Sequence, residues 1–324
     1  MVTTATVIRS NAEFASQNIQ GAVCVFAGAT SGIGARTLER MMTMFASATF
    51  YILGRSSSQF AIQRKVLETL NPQMNIVYIE TDVSLISGID AAYEQIAATE
   101  TKVDFLCMSM GGMPLNGAVY TKEGLETCLA ISYYSRMRLV SNLLPLLRES
   151  QRPRVLSVLN GGKEKHIDEQ DIGLEQKWSI FAVVKHTTLM TSLAFDHLAA
   201  SNDQITFMHN YPSLVKSDNL RRFNAPKSSS FLWRIVLATV KSLMGFLRFC
   251  IGMSPKESGE RQAFHLTSTK YTPGSWRIGS KSDIVPVNKA LKYYEDNGWA
   301  EKIWEFTEGV WDKALTAGNS SAPK

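Results

Sequence analysis

Short apolar and β-branched runs alternate along the chain with longer segments whose apolar residues recur at helical spacing. The runs at 23–26 and 105–108 are apolar throughout, which is typical of parallel strands covered on both faces. The alternation predicts βαβ units and a parallel sheet. The predicted strands are Ala22–Ala27, Thr49–Leu53, Asn75–Glu80, Asp104–Met108, Arg154–Leu159 and Ile205–His209, and the predicted helices are Ile33–Phe45, Gln59–Leu70, Leu85–Thr99, Thr121–Arg148 and Leu174–Ala200.

The 324 residues contain no internal repeat and no low-complexity linker, so we expect one domain. Its fold class is α/β, with a doubly wound parallel sheet and helices on both faces. We predict the domain over residues 21–315, with a helical insert at 217–259. Residues 1–20 are expected to form an N-terminal leader, and residues 316–324 a flexible tail.

Composition narrows the class of protein. With 45% hydrophobic and 19% charged residues, the chain is that of a folded globular protein. The net charge of +5 is spread along the chain, which does not favour nucleic acid as a partner. The four cysteines are scattered and form no CxxC pair, so we expect reduced thiols and no metal site. No signal peptide and no apolar stretch of about 18 residues is found, and we expect a cytoplasmic protein.

A glycine-rich turn joins the first predicted strand to the first predicted helix. It reads Gly28-Ala29-Thr30-Ser31-Gly32-Ile33-Gly34. Glycines at such a turn let a pyrophosphate approach the backbone N–H groups and the positive end of the helix. The spacing is GxxxGxG and not GxGxxG, so tight packing without a ligand is an alternative. Arg55 lies 21 residues after Gly34, where an arginine accommodates the 2′-phosphate of NADP(H).

These residues resemble the short-chain dehydrogenase/reductase family, a single-domain Rossmann fold. The turn at 27–34 is similar to the family's TGxxxGIG motif, and 81–84, 104–112 and 212–217 are similar to its later cofactor segments. Residues 211–212 and 254–261 look most like divergent reductases of fungal secondary metabolism. The resemblance implies NADP(H) as cofactor. The residues that it implies as cofactor contacts are Gly28, Thr30, Ser31, Gly32, Ile33, Gly34, Arg55, Asp82, Val83, Ser109, Lys185, Pro212, Val215 and Ser217.

The chain departs from this family at three catalytic positions. Phe181 stands where the YxxxK motif has the tyrosine that moves the proton, and only Lys185 of that motif remains. Asn160 replaces the family serine that holds the substrate oxygen, and Ser132 replaces the helix asparagine. The resemblance implies that Lys185 binds the nicotinamide ribose. Asn160 can hydrogen-bond a substrate but cannot relay a proton.

A charged segment at 163–171 lengthens the connection between Asn160 and Phe181. Most such segments are solvated loops, yet this one enters beside the expected active site. His166 could therefore supply a proton, as could water or Tyr133. His186 points away from Lys185 on the predicted helix, so we expect it to be packed or exposed and not catalytic.

Three functional hypotheses remain open. The first is an NADPH-dependent reductase of a bulky hydrophobic small molecule, such as an imine, enone or ketone of secondary metabolism, that works without the tyrosine. The second is a redox-neutral cyclase, isomerase or dehydratase that reuses the pocket. The third is a cofactor-binding pseudoenzyme.

The insert carries a predicted amphipathic helix over 229–251. Arg234, Lys241 and Arg248 recur every seven residues and share one face, while apolar residues cover much of the rest. The resemblance implies a lid over a hydrophobic substrate, and a core-packing helix is an equal alternative. Membrane contact is a third and less favoured interpretation. The long helices predicted at 121–148 and 174–200 could pair in a homo-oligomer.

Overall fold

The computed structural model describes residues 1–112, 117–216 and 252–320, together with helical residues 234, 235, 238–240, 242, 243 and 245. Seven parallel strands form one sheet in the order β3-β2-β1-β4-β5-β6-β7. The doubly wound α/β fold predicted from the sequence is confirmed. The strands are β1 (Ala22–Ala27), β2 (Ala48–Gly54), β3 (Asn75–Glu80), β4 (Phe105–Met108), β5 (Arg154–Val158), β6 (Thr206–Asn210) and β7 (Gly274–Ile278).

Alternate residues of each central strand enter two separate cores. In β1, Val23, Val25 and Ala27 pack against one helical layer, whereas Cys24 and Phe26 face the other. Both faces of the central sheet are therefore shielded from solvent, which explains why β1 and β4 are apolar throughout. The sequence analysis missed β7. This strand lies at the sheet edge and contains glycine, serine and arginine, so it lacks the continuous apolar run.

Helices cover both faces of the sheet. The helices are α1 (Thr4–Ala15), α2 (Gly32–Met42), α3 (Ser57–Leu70), α4 (Ile86–Ala97), α5 (Thr127–Leu129), α6 (Ser135–Arg148), α7 (Ile180–Ala200), α8 (Pro255–Thr267), α9 (Lys289–Asp296) and α10 (Trp299–Ser320). A π-helical turn, Ala130–Tyr134, joins α5 to α6. None of the described helices is both long enough and apolar enough to cross a bilayer.

Two helices begin later than predicted. The segment before α7 was expected to be helical from Leu174, but the Asp171 carboxylate accepts the backbone N–H groups of Glu175, Gln176 and Lys177. These bonds compete with helical hydrogen bonding, and α7 starts only after Ser179, whose hydroxyl caps it. Similarly, the chain at 121–126 forms a turn in which the Thr121 N–H donates to the Leu125 carbonyl.

The predicted leader contains a helix that is attached to the domain. The Thr4 hydroxyl donates to Glu257 over 2.8 Å, and the Asn11 amide donates to the Glu260 carboxylate over 2.7 Å. Both acids belong to α8, so α1 lies against α8 and not away from the domain. At the other end of the chain, α10 continues through residues 316–320, where a flexible tail was expected.

The predicted insert at 217–259 includes part of a core helix. Gly259 of α8 packs against α2 so closely that an added Cβ would lie 2.6 Å from the Arg36 carbonyl oxygen. The insert therefore ends before α8 begins at Pro255. Most of the amphipathic segment at 229–251, including Lys241 and Arg248, lies outside the described residues.

Two buried histidines make the fold sensitive to acid. The His265 ring in α8 lies within hydrogen-bond distance of Gln262 and Ser282, and burial lowers its pKa to about 3, with Arg261 and Lys270 adding repulsion. The pKa of buried His209 in β6 is also well below its ordinary value. Since the unfolded chain binds these protons near pH 6.5 and the folded chain does not, stability falls as pH drops below that value.

We predict that His265 alone removes about 2 kcal/mol of unfolding free energy between pH 6.5 and pH 5.0. Denaturant unfolding followed by tryptophan fluorescence across this range would measure the slope. His265→Gln should flatten it by about one proton. An identical slope in wild type and His265→Gln would contradict the prediction.

Candidate active site

The chain turns sharply after β1, close to the end of β4. Gly28 and Gly32 adopt φ values of +85° and +60°, a region that favours glycine. A Cβ on Gly28 would collide with the Met110 backbone nitrogen, and one on Gly34 would collide with the Ser109 hydroxyl. The Ser109 hydroxyl donates to the Gly28 carbonyl over 3.1 Å. Packing thus requires both glycines and brings Ser109 against the turn.

The N-terminus of α2 faces this turn. Ser31 is the N-cap residue, but its side chain makes no capping hydrogen bond, and the first turn of the helix has no acidic residue. The backbone N–H groups there keep their capacity for an anion, and the helix dipole favours one. This arrangement is the one that a pyrophosphate requires.

A cleft of about 420 Å³ opens along the carboxyl ends of β1, β2 and β4. It lies at the switch point of the strand order, where nucleotides bind in open α/β sheets. The structure brings most of the predicted cofactor residues together here. The predicted residues that line the cleft are Gly28, Thr30, Ser31, Ile33, Arg55, Asp82, Val83, Ser109 and Pro212.

One end of the cleft is polar. Arg55 is exposed directly after β2, and the Ser56 hydroxyl caps the following helix α3. The Glu80 carboxylate, at the end of β3, accepts the Ser57 N–H over 3.2 Å, and its hydrogen bonds to Ser57 lower its pKa. An arginine, serine hydroxyl groups and a helix N-terminus therefore share this end with one acid.

The segment after β6 closes the other end. Pro212 lines the cleft, and Ser213 has a φ of +64°, which is uncommon for a residue other than glycine. The resembling family has glycine at this position, so the backbone conformation is the one that the motif implies. Val215 is buried and forms a parallel bridge with Met253. Ser217 lies outside the described residues.

The predicted catalytic residues occupy two places. Asn160 follows β5, and its amide nitrogen donates to the Thr188 hydroxyl of α7 over 3.1 Å. Phe181 is 79% exposed, and Lys185, one turn further along α7, is also exposed. Both line a second cavity, of about 640 Å³, together with His166. The Lys185 ammonium group has no hydrogen-bond partner within the described part of the chain.

His166 is exposed and lies against two aromatic rings. Its ring centroid is 5.3 Å from that of Tyr293 and 5.5 Å from that of Tyr294. The 163–171 segment is therefore only partly a solvated loop, because its middle packs against α9. The placement puts an imidazole in the same cavity as Phe181 and Lys185.

Two other candidates point away from the cleft. The Tyr133 hydroxyl is buried against Thr307 of α10 at 2.8 Å, and burial raises its pKa. The suggestion that Tyr133 supplies the proton is therefore wrong. His186 is packed, as predicted: its Nδ1 donates to the Ile172 carbonyl, and its Nε2 accepts the Asp168 N–H. Ser132 is buried in the π-helical turn.

A buried polar network supports Asn160, and the sequence analysis did not find it. The Asn160 N–H donates to Nε2 of His209, whose Nδ1 then donates to the Ser192 hydroxyl over 2.9 Å. Ser192 in turn donates to the Glu164 carboxylate over 2.6 Å. Burial, followed by Arg136 and Arg277, lowers the pKa of His209, so the ring is neutral. The network ties the 163–171 segment to α7 and β6 at the position of Asn160.

Arg136 of α6 is the second feature that was missed. Its guanidinium is 1% exposed and lies at the carboxyl ends of β4 and β5, on the wall of the cleft. It donates to the Ser157 hydroxyl over 2.7 Å, to the Val158 carbonyl over 3.1 Å, and to the carbonyls of Met108, Ile131 and Met110. The wall of the predicted site therefore contains the buried cation Arg136.

Comparison with known proteins agrees with this architecture. The family model described as short chain dehydrogenase matches residues 22–170. Oxidoreductase AN1596 of Emericella nidulans is 35% identical over 97% of this chain and 99% of its own length. Oxidoreductase lepF of Aspergillus flavus is 32% identical over 92% of this chain and 93% of its own length.

A solved structure shows the same fold. The NADPH-bound carbonyl reductase from chicken fatty liver superposes with a TM-score of 0.58 and 13% identity, over 83% of this chain and 100% of that one. The glycine turn, the switch-point cleft and the similarity along nearly the whole chain all indicate the same family. The chain belongs to the short-chain dehydrogenase/reductase family, in the group that includes these fungal oxidoreductases.

Proposed function

We propose that this protein is an NADPH-dependent reductase of a bulky hydrophobic small molecule, an intermediate of secondary metabolism. The observation that carries the proposal is the cleft at the switch point. There, two glycines without room for a side chain and an uncapped helix N-terminus meet an exposed arginine. Relatives named as fungal oxidoreductases support the reaction class.

The residues of the cleft fit NADP(H). Gly28, Gly32 and Gly34 let a pyrophosphate reach the N–H groups at the start of α2. Arg55 and the hydroxyl groups after β2 would hold the 2′-phosphate. Asp82 is held in place because its carboxylate accepts the N–H and the hydroxyl of Ser84, so it and Val83 would contact the adenine. Bound NADPH would supply the hydride.

The side chains on the α7 side would orient the substrate. Lys185 would bind the ribose hydroxyls and add positive charge near the reacting carbon. Asn160, fixed by Thr188 and His209, offers its amide oxygen to a polar group of the substrate. Ser132 would not contact the substrate directly, because its side chain is buried in the π-helical turn before α6. With phenylalanine at position 181, the proton would come from water or from His166.

The exposed surface of α7 favours a hydrophobic substrate. Phe181 is 79% exposed and Val184 is 40% exposed, on the helix face that carries Lys185. Large apolar side chains beside a catalytic position bind apolar ligands by the same burial that stabilises a core. The substrate class, a homo-oligomeric state and a cytoplasmic location stay predictions.

A redox-neutral reaction on the same scaffold is the second candidate. The loss of the tyrosine hydroxyl at Phe181 favours it, because general acid–base assistance is typically worth about 10²–10⁴-fold in rate. The two candidates differ in the fate of the hydride. Deuterium transfer from 4-deuterated NADPH to the product would exclude the redox-neutral reaction, and a product of unchanged oxidation state without NADPH consumption would exclude the reductase.

The cofactor preference can be tested at Arg55. We predict that the protein binds NADPH more tightly than NADH, because only NADPH carries the 2′-phosphate. Arg55→Ala should weaken NADPH binding roughly 10- to 100-fold, the value of a hydrogen bond between charged groups, and leave NADH binding nearly unchanged. Calorimetric titration measures both affinities.

Arg152→Ala provides a matched control for this test. Arg152 is also exposed but lies before β5, at the opposite edge of the sheet. The Arg152→Ala variant should bind NADPH and NADH with the affinities of the wild-type protein. Equal affinities for NADPH and NADH in wild type, or equal losses for both in Arg55→Ala, would contradict the assignment of Arg55.

The missing proton donor can be restored. Phe181→Tyr places a phenol one helical turn from Lys185, and we predict a gain in ketone reduction of roughly 10²-fold or more. NADPH oxidation with a panel of bulky aromatic ketones measures it, with Phe181→Leu as the control for a change of packing alone. If Phe181→Tyr binds NADPH normally and gains no activity, Lys185 and Asn160 are not arranged as the proposal requires.

A further inference from the structure

The buried guanidinium of Arg136 has no anionic partner among the residues that the structure describes. All five groups that accept its hydrogen bonds are neutral: four backbone carbonyls and the Ser157 hydroxyl. Burial lowers its pKa to about 9, so it is still a cation at neutral pH. A buried charge is ordinarily paired, because neutral dipoles compensate it only in part.

One N–H of Arg136 has no hydrogen-bond acceptor among the described residues. A guanidinium has five N–H bonds, one on Nε and two on each terminal nitrogen. Nε donates to Ile131, Nη1 has three acceptors for its two hydrogens, and Nη2 has only the Met110 carbonyl. Within the described ranges, therefore, the second Nη2 hydrogen has no acceptor.

Nη2 lies next to the cleft, although Arg136 as a whole is buried. Gly111 is exposed, and a Cβ added to it would meet Nη2 at 3.8 Å; among the described residues other than its chain neighbours, no further atom lies within 4 Å of that position. Nη2 therefore borders the space beside Gly111, and both residues line the cleft. A ligand atom in that space would contact the cation directly.

We propose that Arg136 binds one carboxylate oxygen of the substrate, so that the substrate is a hydrophobic molecule with a carboxylate near its reacting carbon. The assignment rests on the proposed function, because it places the substrate beside the bound nucleotide, at the part of the cleft that Arg136 lines. A carboxylate supplies the acceptor for the remaining N–H and the negative charge that the buried cation lacks. A neutral amide supplies only the acceptor, so the site discriminates between the two.

The probes are cinnamate and its neutral isostere cinnamamide, titrated calorimetrically into the full-length protein without nucleotide. Wild type should bind cinnamate roughly 10- to 100-fold more tightly than cinnamamide, the range for a charge-assisted hydrogen bond. Arg136→Met should abolish this preference. Because that variant also removes donors from several buried carbonyls, its folding must be checked by its unfolding temperature.

A second pair of variants keeps Arg136 and all its buried hydrogen bonds. Gly111→Ala adds a methyl group at ordinary contact distance from Nη2 and should retain the preference. Gly111→Leu fills the approach to Nη2 and should remove it. This pair keeps the proposal testable even if Arg136→Met does not fold.

Three results would overturn the assignment. Equal binding of cinnamate and cinnamamide by wild type would leave Arg136 a purely structural residue. A preference that survives in Gly111→Leu would place the anion elsewhere. A preference lost in Lys185→Met but not in Gly111→Leu would assign it to Lys185. NADPH binding is measured separately, so failure of the proposed function would show as absent NADPH binding with the cinnamate preference intact.

Discussion

The backbone after β1 passes so close to the end of β4 that neither Gly28 nor Gly34 has room for a side chain. This contact lies where the sheet reverses its winding, since β1 has β2 on one side and β4 on the other. Beside this contact the start of α2 has no side-chain cap, and Ser31 and Ile33 line the cleft. The remaining parts of the site, Arg55, Asp82 and Pro212, follow neighbouring strands and reach the cleft because all strands run in one direction.

The residues of the site that follow the strands in sequence could be predicted from the sequence. Apart from Lys185 on α7, the predicted cofactor residues lie in or just after a loop that follows a predicted strand, and parallel strands bring such loops to one edge. β1, β2 and β4 are mainly apolar because they are buried on both faces, so their composition identifies them as strands. In contrast, α1 is tied to the domain by Glu257 and Glu260 of α8, about 250 residues away, and its buried face includes a polar residue, Asn11.

The polar interior of the site was not predictable in the same way. Arg136 receives its hydrogen-bond partners from the end of β4, from β5 and from the π-helical turn, which meet only in the folded chain. One signal was present: Arg136 shares a helical face with Ser132, Val140 and Leu143, so a charge falls on an otherwise buried stripe. Ser157 within β5 is the matching signal. Likewise, Glu164, Ser192 and His209 come from three segments, and only the fold shows that they form one network below Asn160.

The chain thus combines the glycine turn and the switch-point cleft with phenylalanine at position 181. We propose that Phe181 takes the place of the family's acid; the structure adds a buried cation, Arg136, and a neutral buried histidine, His209. The most direct test is hydrogen–deuterium exchange with and without NADPH. The account predicts new protection in peptides covering 28–34, 53–57 and 109–112, at the carboxyl edge of the sheet. Unchanged exchange in these peptides at saturating NADPH, or protection confined to other parts of the chain, would contradict it.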